Sequence, residues 1–284
     1  MPRRPLLALL ALLAASAAGA TPPPGGVADL IGARGLGLGA SIALTGTADA
    51  AFVNPAADAA QQRYSIDALY LADRRGSANA GQYLGAGVAD SLSSPVAASF
   101  AYVRSTTGAQ AGSILYGGLA TAVAPGLYLG AQAHALLLDG AAPVRVVTAD
   151  AGLLWQVASL LTVGAAGYNL IPVGQPIAAP RGLGAGLAIG NDTAFKVAGD
   201  YRADLVRDGH TTSVFGGGLE ALLGGMVPVR GGIVRDQTLG TSWWSAGLGL
   251  VTPDGFAVDV GYRQSIESPD ARIVGVSIKK FILN

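Results

Sequence analysis

From Gln62 almost to its end the chain repeats one pattern: apolar side chains alternate with small or polar ones, in segments separated by turn residues. Phe256, Val258, Val260 and Tyr262 fall on one face of such a segment, and Ala257, Asp259, Gly261 and Arg263 on the other. Successive side chains of a strand point to opposite sides of the sheet, so this strand has one apolar and one polar face. A sheet packed on a soluble core would need many polar outward positions. Instead hydrophobic residues make up 51% of the chain, charged residues only 13%, and the mean hydropathy is +0.45. With no long apolar helix after the first twenty residues, the fold class expected is all-β: a transmembrane antiparallel up-and-down barrel.

The start reads differently. Met1-Pro2-Arg3-Arg4 is basic, Leu6 to Ala15 is apolar, and Ala18-Gly19-Ala20 offers the small residues of a cleavage site. Residues 1–20 are therefore expected to be a signal peptide, the apolar run being too short to span a bilayer. Thr21 to Val27 is a Pro/Gly tether, and residues 21–60 are expected to form a compact N-terminal tether and plug rather than a strand ladder. Within it Thr47 suits a helix N-cap and Asp49 a first helical turn, with the helix ending near Val53 or Asn54 because Pro55 follows. There is no cysteine, so neither a lipoprotein anchor nor disulfide stapling is available. The net charge is +0 and Lys and Arg are scattered, so nothing suggests a nucleic-acid partner.

Residues 61–284 are expected to form the barrel. Strands are predicted near 62–72, 77–89, 95–105, 111–123, 127–138, 144–157, 161–170, 181–190, 194–206, 210–222, 226–235, 242–252, 256–266 and 271–282. An even count of about fourteen suits a bacterial single-chain barrel. Tight turns at 124–126, 191–193, 223–225 and 253–255, rich in Gly, Pro, Asn and Asp, alternate with connections at 105–110, 139–143, 171–180, 236–241 and 267–270. With both termini in the periplasm, the tight set lies on the periplasmic side.

Phe195, Val197, Tyr201 and Leu205 are expected to face lipid, as are Trp244, Leu248 and Leu250, and Val274, Val276 and Ile278. Tyr64, Tyr70, Tyr102, Trp155, Tyr168, Trp243, Trp244, Phe256, Tyr262 and Phe281 sit at segment ends and suit the interfacial girdles. The inward charges expected are Asp150, Lys196, Asp200, Arg202, Asp204, Glu220, Arg230, Asp259 and Arg263. They could line a polar conduit or orient a ligand, or else pair with one another and hold the plug. The mixed signs favour pairing, since a buried charge left alone is costly. The 42 glycines, many inside strands, would leave room for a plug and allow a curved wall.

Several motifs lead nowhere. Gly35-Leu36-Gly37-Leu38-Gly39 lacks the preceding strand and long helix of a dinucleotide loop. His134 and His210 lie on different predicted strands with no Cys partner, so no metal site is expected. No nucleophile elbow or triad spacing is present; neither an enzyme activity nor a cofactor is expected.

Gly32-Ala33-Arg34-Gly35-Leu36-Gly37-Leu38-Gly39-Ala40, followed by Ala48-Asp49-Ala50-Ala51-Phe52-Val53-Asn54-Pro55-Ala56, resembles the start of the FadL/PorV superfamily of outer-membrane barrels. The resemblance implies a fourteen-stranded barrel in the bacterial outer membrane with residues 34–55 as a lumenal hatch. Arg34, Gly35, Gly37, Gly39, Asp49, Asn54 and Pro55 would be its motif residues. FadL-type members carry hydrophobic small molecules, long-chain fatty acids among them. PorV-like members serve as barrel subunits of secretion or surface machinery, so the resemblance allows hydrophobic cargo or envelope protein partners besides membrane lipid. Three departures stand out: Ala57 replaces the usual Gly after Asn54-Pro55-Ala56, the outer loops are short, and the chain ends without a terminal aromatic, Phe281 lying three residues early.

Overall fold

The computed structural model describes residues 32–45, 50–74, 81–106, 111–139, 143–173, 179–207, 210–237 and 240–282. The expected signal peptide, Thr47 and Asp49 lie outside the described residues, as does the side chain of His210. Fourteen strands close into one antiparallel barrel. They are β1 (Tyr64–Arg74), β2 (Gly81–Asp90), β3 (Val96–Ser105), β4 (Gly112–Ala124), β5 (Leu127–Leu138), β6 (Val144–Ala158) and β7 (Leu161–Tyr168). Then follow β8 (Gly182–Gly190), β9 (Phe195–Arg207), β10 (His210–Leu223), β11 (Val227–Asp236), β12 (Thr241–Val251), β13 (Phe256–Ser265) and β14 (Arg272–Ile282). Each strand pairs with its neighbours in sequence, and β1 closes on β14 from Tyr64 opposite Ile282 to Arg74 opposite Arg272. Closure leaves no unpaired sheet edge, which a hydrocarbon environment would penalise.

The turns separate the two ends of the barrel. At one, the turn end, β4 passes to β5 through Pro125-Gly126 and β12 to β13 through residues 252–255. Gly126 (φ 73°) and Gly255 (φ 83°) supply left-handed backbone there. The other, the loop end, carries the longest connection, between β7 and β8. Predicted and observed strands share their centres and differ at their ends. β7 stops at Tyr168 rather than 170 because Asn169 turns left-handed (φ 52°) and gives its N–H to the Asp150 carboxylate at 2.7 Å.

The outer surface is an apolar belt. Phe195, Val197, Tyr201, Leu205, Trp244, Leu248, Leu250 and Ile278 are all exposed. In water so large an apolar surface would drive aggregation; in a bilayer it is the solvated face. Two girdle expectations are corrected. Tyr168 (4% exposed) and Trp243 (4% exposed) point inward. Tyr168 shares the inner face of β7 with Ala166, and Trp243 shares that of β12 with Ser245, so alternation overrides their position at strand ends. Trp244, next in sequence, takes the outward place and stacks on Tyr262 with ring centres 5.3 Å apart.

Residues 32–60 lie inside the barrel. Helix α1 (Ala33–Leu38) packs on β10 to β14, and a 3-10 helix (Pro55–Ala60) packs on β3 to β6. The short helix α2 (Ala50–Val53) precedes the latter and, as the sequence predicts, ends just before Asn54. Helix α1 was not predicted: two of its six residues, Gly35 and Gly37, are poor helix formers, and Gly39 follows them at its end. Burial holds it, and Gly39 (φ 78°) caps it by giving its N–H to the Gly35 carbonyl at 2.9 Å.

Candidate functional site

The inner segment is seated on glycines. A Cβ at Gly218 or Gly232 would overlap the Leu38 carbonyl oxygen, one at Gly261 that of Ala33, and one at Gly164 that of Ile42. Across the lumen Gly130 and Gly152 leave room for Pro55 and Asn54 in the same way. The wall therefore approaches the inner backbone more closely than any side chain would permit.

Arg34 is the hub of the inner segment. Its Nε donates to Glu220 Oε2 at 2.9 Å and its Nη2 to Glu220 Oε1 at 2.5 Å. Nη2 also reaches Asp192 Oδ1 at 2.6 Å, and Nη1 reaches the Thr45 carbonyl at 2.9 Å. The pairing continues on both sides. Lys196 Nζ lies 2.8 Å from Asp192, Arg230 Nε 2.5 Å from Glu220, Arg230 Nη1 2.6 Å from Asp259, and Lys279 Nζ 3.6 Å from Asp259. Lys196, Asp192, Arg34, Glu220, Arg230, Asp259 and Lys279 thus form one chain that alternates in sign throughout. A forked guanidinium–carboxylate pair in this setting is strong and directional.

Burial works against the charge on Arg34, but Asp192 and Glu220 outweigh it and the guanidinium holds its proton more tightly than usual. Burial likewise tends to raise the Asp192 carboxyl, yet Arg34 and Lys196 overcome that and hold it well below the usual carboxylate range. In the 3-10 helix burial dominates: the Asp58 carboxyl is pushed up to about 6, against the opposing pull of Ser99 and Arg63.

Other expected residues take anchoring positions. Asp200 Oδ2 accepts the N–H groups of Ser41 (2.5 Å) and Ile42 (2.9 Å), fixing the turn after α1. Asn54 Nδ2 donates to the carbonyls of Ile42 (2.9 Å) and Leu153 (3.1 Å), while its Oδ1 caps the 3-10 helix through Ala56 N at 3.2 Å. Pro55 fills the first helical position, where its missing N–H costs nothing. Gly35 and Gly37 lie buried in α1, and Gly37 sits against Gly247 of β12. Arg263 Nη2 reaches the Leu36 carbonyl at 3.5 Å. Asp204 is buried and Arg202 half-buried on the inner face of β9.

Asp150 stands apart, across the lumen. It meets His134 Nδ1 at 3.0 Å and accepts from Gln132 Nε2 at 2.8 Å and Asn169 N at 2.7 Å. Among the described residues no cluster of three or more His, Cys, Asp or Glu could hold a metal.

Above the inner segment, toward the loop end, the lumen holds an apolar cluster beside buried polar groups such as His134, Thr148 and Asn169. Leu71, Val103, Ile114, Tyr116, Leu136 and Ile273 are buried there and belong to one cluster with Phe52 and Val53 of the inner segment. Below it, at the turn end, a cleft of about 540 Å³ is bordered by Thr45, Gln61, Gln156, Thr162, Asp192 and Lys196.

Sequence reasoning missed Asp192 and Lys279. Asp192 reads only as a turn residue, and no local pattern shows that its turn folds back under the lumen. Lys279 was legible: Val274, Val276 and Ile278 outward place residue 279 inward.

A closed barrel with an apolar belt and an ion-clamped segment across its lumen defines the class: a transmembrane β-barrel with an internal N-terminal segment. No protein-family model and no curated protein matches the sequence. Solved structures share the fold. The Ralstonia pickettii toluene transporter TbuX superimposes with a TM-score of 0.68 at 14% identity, over 90% of this chain and 100% of that one. The monoaromatic hydrocarbon channel CymD gives 0.66 at 15% identity, over 89% and 98%. A Pseudomonas aeruginosa FadL homologue gives 0.64 at 12% identity, over 88% and 98%. The chain thus has the fold of FadL-like outer-membrane barrels.

Proposed function

We propose that the protein is a passive channel of the bacterial outer membrane for small hydrophobic molecules, with residues 32–60 as a hatch that must shift for cargo to pass. The observation that carries this is the layering of the lumen. An apolar cluster around Tyr116, Leu136 and Phe52 lies in the loop-end half beside the His134 and Asn169 group, and the Arg34-clamped segment lies across the lumen below it. Apolar cargo gains free energy by leaving water for such a zone, whereas an ion or sugar would lose hydration there. The fold shared with the toluene transporter TbuX and the hydrocarbon channel CymD supports cargo of monoaromatic size. The tight turns would face the periplasm and the longer connections the outside, as both are arranged in barrels of this kind. Nothing in the site favours a role as a subunit of secretion machinery, and that reading is set aside.

The test is uptake of radiolabelled toluene and of oleate into liposomes containing the purified barrel. Acceleration of either over empty liposomes, increased further by Glu220→Gln, supports the proposal. Rates equal to those of empty liposomes for both solutes, with the barrel shown to be folded by heat-modifiable gel migration, overturn it.

A further inference from the structure

A second set of contacts, separate from the ionic clamp, runs from the inner segment to the loop end. It begins at Phe52 on α2, whose ring meets that of Tyr116 on β4 edge-on, with centres 5.2 Å apart and planes at 78°. Tyr116 in turn lies 5.2 Å from the ring of His134 on β5, tilted by 33°. His134 Nε2 is hydrogen-bonded to Asn169 Oδ1 at 3.1 Å, and its Nδ1 lies 3.0 Å from Asp150 Oδ2 without hydrogen-bond geometry. Asn169 Nδ2 then donates to the Pro180 carbonyl at 2.7 Å. A carbonyl only accepts, so this bond fixes which end of the Asn169 amide faces the histidine.

Asn169 therefore ties together the two ends of the connection between β7 and β8. It does so from left-handed backbone (φ 52°), alone among the described non-glycine residues in having positive φ. Such strain persists only where surrounding contacts over-determine it, and here they are the Asp150, His134 and Pro180 bonds. The neighbouring backbone depends on the same site: Leu170 N–H goes to the Ala149 carbonyl at 2.7 Å, and the Ile171 carbonyl accepts from Thr148 Oγ1 at 3.0 Å. Phe52, Tyr116, His134 and Asn169 are each nine-tenths or more buried, so none of these contacts can loosen without moving the next.

We propose that Phe52, Tyr116, His134 and Asn169 couple the inner segment to residues 169–171 at the start of the β7–β8 connection, so that loosening either end loosens the other. The proposal rests on the reading of residues 32–60 as a movable hatch and adds what that movement is linked to: the start of the outer connection, across three strands. The residues act as positioning residues; none is required to touch cargo. Coupling carried by a packed string of this kind is worth between about twofold and thirtyfold in a local opening equilibrium.

Native-state hydrogen exchange read by mass spectrometry tests it on the full-length barrel in detergent or nanodiscs. The reporter at the outer end is the peptide containing the Asn169 and Leu170 amides. The reporter at the inner end contains the Asn54 and Ala57 amides, bonded to Ala50 and Asn54 carbonyls at 2.9 and 3.0 Å. Phe52→Leu should speed exchange at 169–170 by at least about twofold, and Asn169→Ala should do the same at 54–57. Tyr116→Leu should raise both, while Tyr116→Phe, which keeps the ring, leaves both at the wild-type rate. Exchange across β11 and β12 should stay unchanged in every variant, which separates coupling from general loss of structure. An unchanged rate at 169–170 in Phe52→Leu, or an unchanged rate at 54–57 in Asn169→Ala, overturns the proposal. Failure of the hatch reading would show separately, as toluene flux that does not respond to Glu220→Gln.

Discussion

Arg34 and Glu220 face each other inside the barrel as a two-point pair, with guanidinium Nε and Nη2 on the two carboxylate oxygens at 2.9 and 2.5 Å. They are 186 residues apart in sequence, so this contact records how the inner segment is docked rather than how any one strand forms. Breaking an isolated buried pair costs about 3–5 kcal/mol; here Arg34 keeps Asp192 and Arg230 keeps Asp259, so the cost is smaller and falls on the docking of the inner segment. Glu220→Gln should therefore free the inner segment while sparing the strand ladder. The expected result is higher toluene flux and faster exchange of the Leu36 and Gly39 amides, with unaltered heat-modifiable migration. Arg34→Lys should behave like a loss, because an ammonium cannot span both Glu220 oxygens and Asp192 at once.

Asp192 gives the clamp its pH dependence. Burial raises its carboxyl, but Arg34 and Lys196 outweigh that and depress it below its ordinary value of 3.8. A group depressed on folding contributes stability that is fully present above the unfolded value and lost as pH falls through the folded one. Exchange of the α1 amides should therefore be independent of this group from pH 7 to about 5 and accelerate only well below pH 3.8. Asp192→Asn should show the accelerated rate already at pH 7. A wild-type transition centred near pH 6 would contradict the assignment.

The barrel was legible in the sequence and the lumen only in part, for one physical reason. Strand alternation is local: Phe195, Val197 and Tyr201 announce their outward face from spacing alone, and so do the inward partners Lys196 and Asp200. Which inward group meets which is non-local. Alternation puts Glu220, Arg230 and Asp259 in the lumen, but their order along a charge chain depends on barrel closure. Tyr168 and Trp243 misled because an aromatic at a strand end fits a girdle as well as an interior, and only parity decides. Helix α1 was hidden by its glycines. These weaken the helix locally and are kept because backbone of β12 lies against Gly37.

Asp58 should make the seat of the 3-10 helix respond to pH in the opposite sense. Burial raises its carboxyl from 3.8 to about 6, with Ser99 and Arg63 opposing. A value raised on folding contributes stability that is present below the unfolded value and lost as pH rises through the folded one. Protection of the Ala57 amide should thus be greatest below pH 3.8, decline as pH rises to about 6, and be level above it. Asp58→Asn should abolish the decline and hold protection at its acidic level throughout. A wild-type profile flat between pH 4 and pH 7 would show that the carboxyl is not held in this way.

Gly218 tests whether the glycine bed or the ionic clamp sets how deep the inner segment sits. A Cβ there would overlap the Leu38 carbonyl oxygen and crowd that of Gly231, both backbone atoms with no rotamer to escape through. Gly218→Ala should therefore lift α1 from the wall at a cost of about 1–3 kcal/mol, the range for overpacking a close contact. Lifting α1 also stretches the Arg34–Glu220 pair, so the substitution should raise toluene flux although every charge remains. Gly117→Ala is the matched control: its added Cβ meets nothing within 4 Å, and alanine costs a strand less backbone entropy than glycine. It should leave flux unchanged and raise the unfolding midpoint slightly. If Gly218→Ala matched Gly117→Ala in both measurements, the inner segment would not depend on the glycines, and the clamp alone would set its depth.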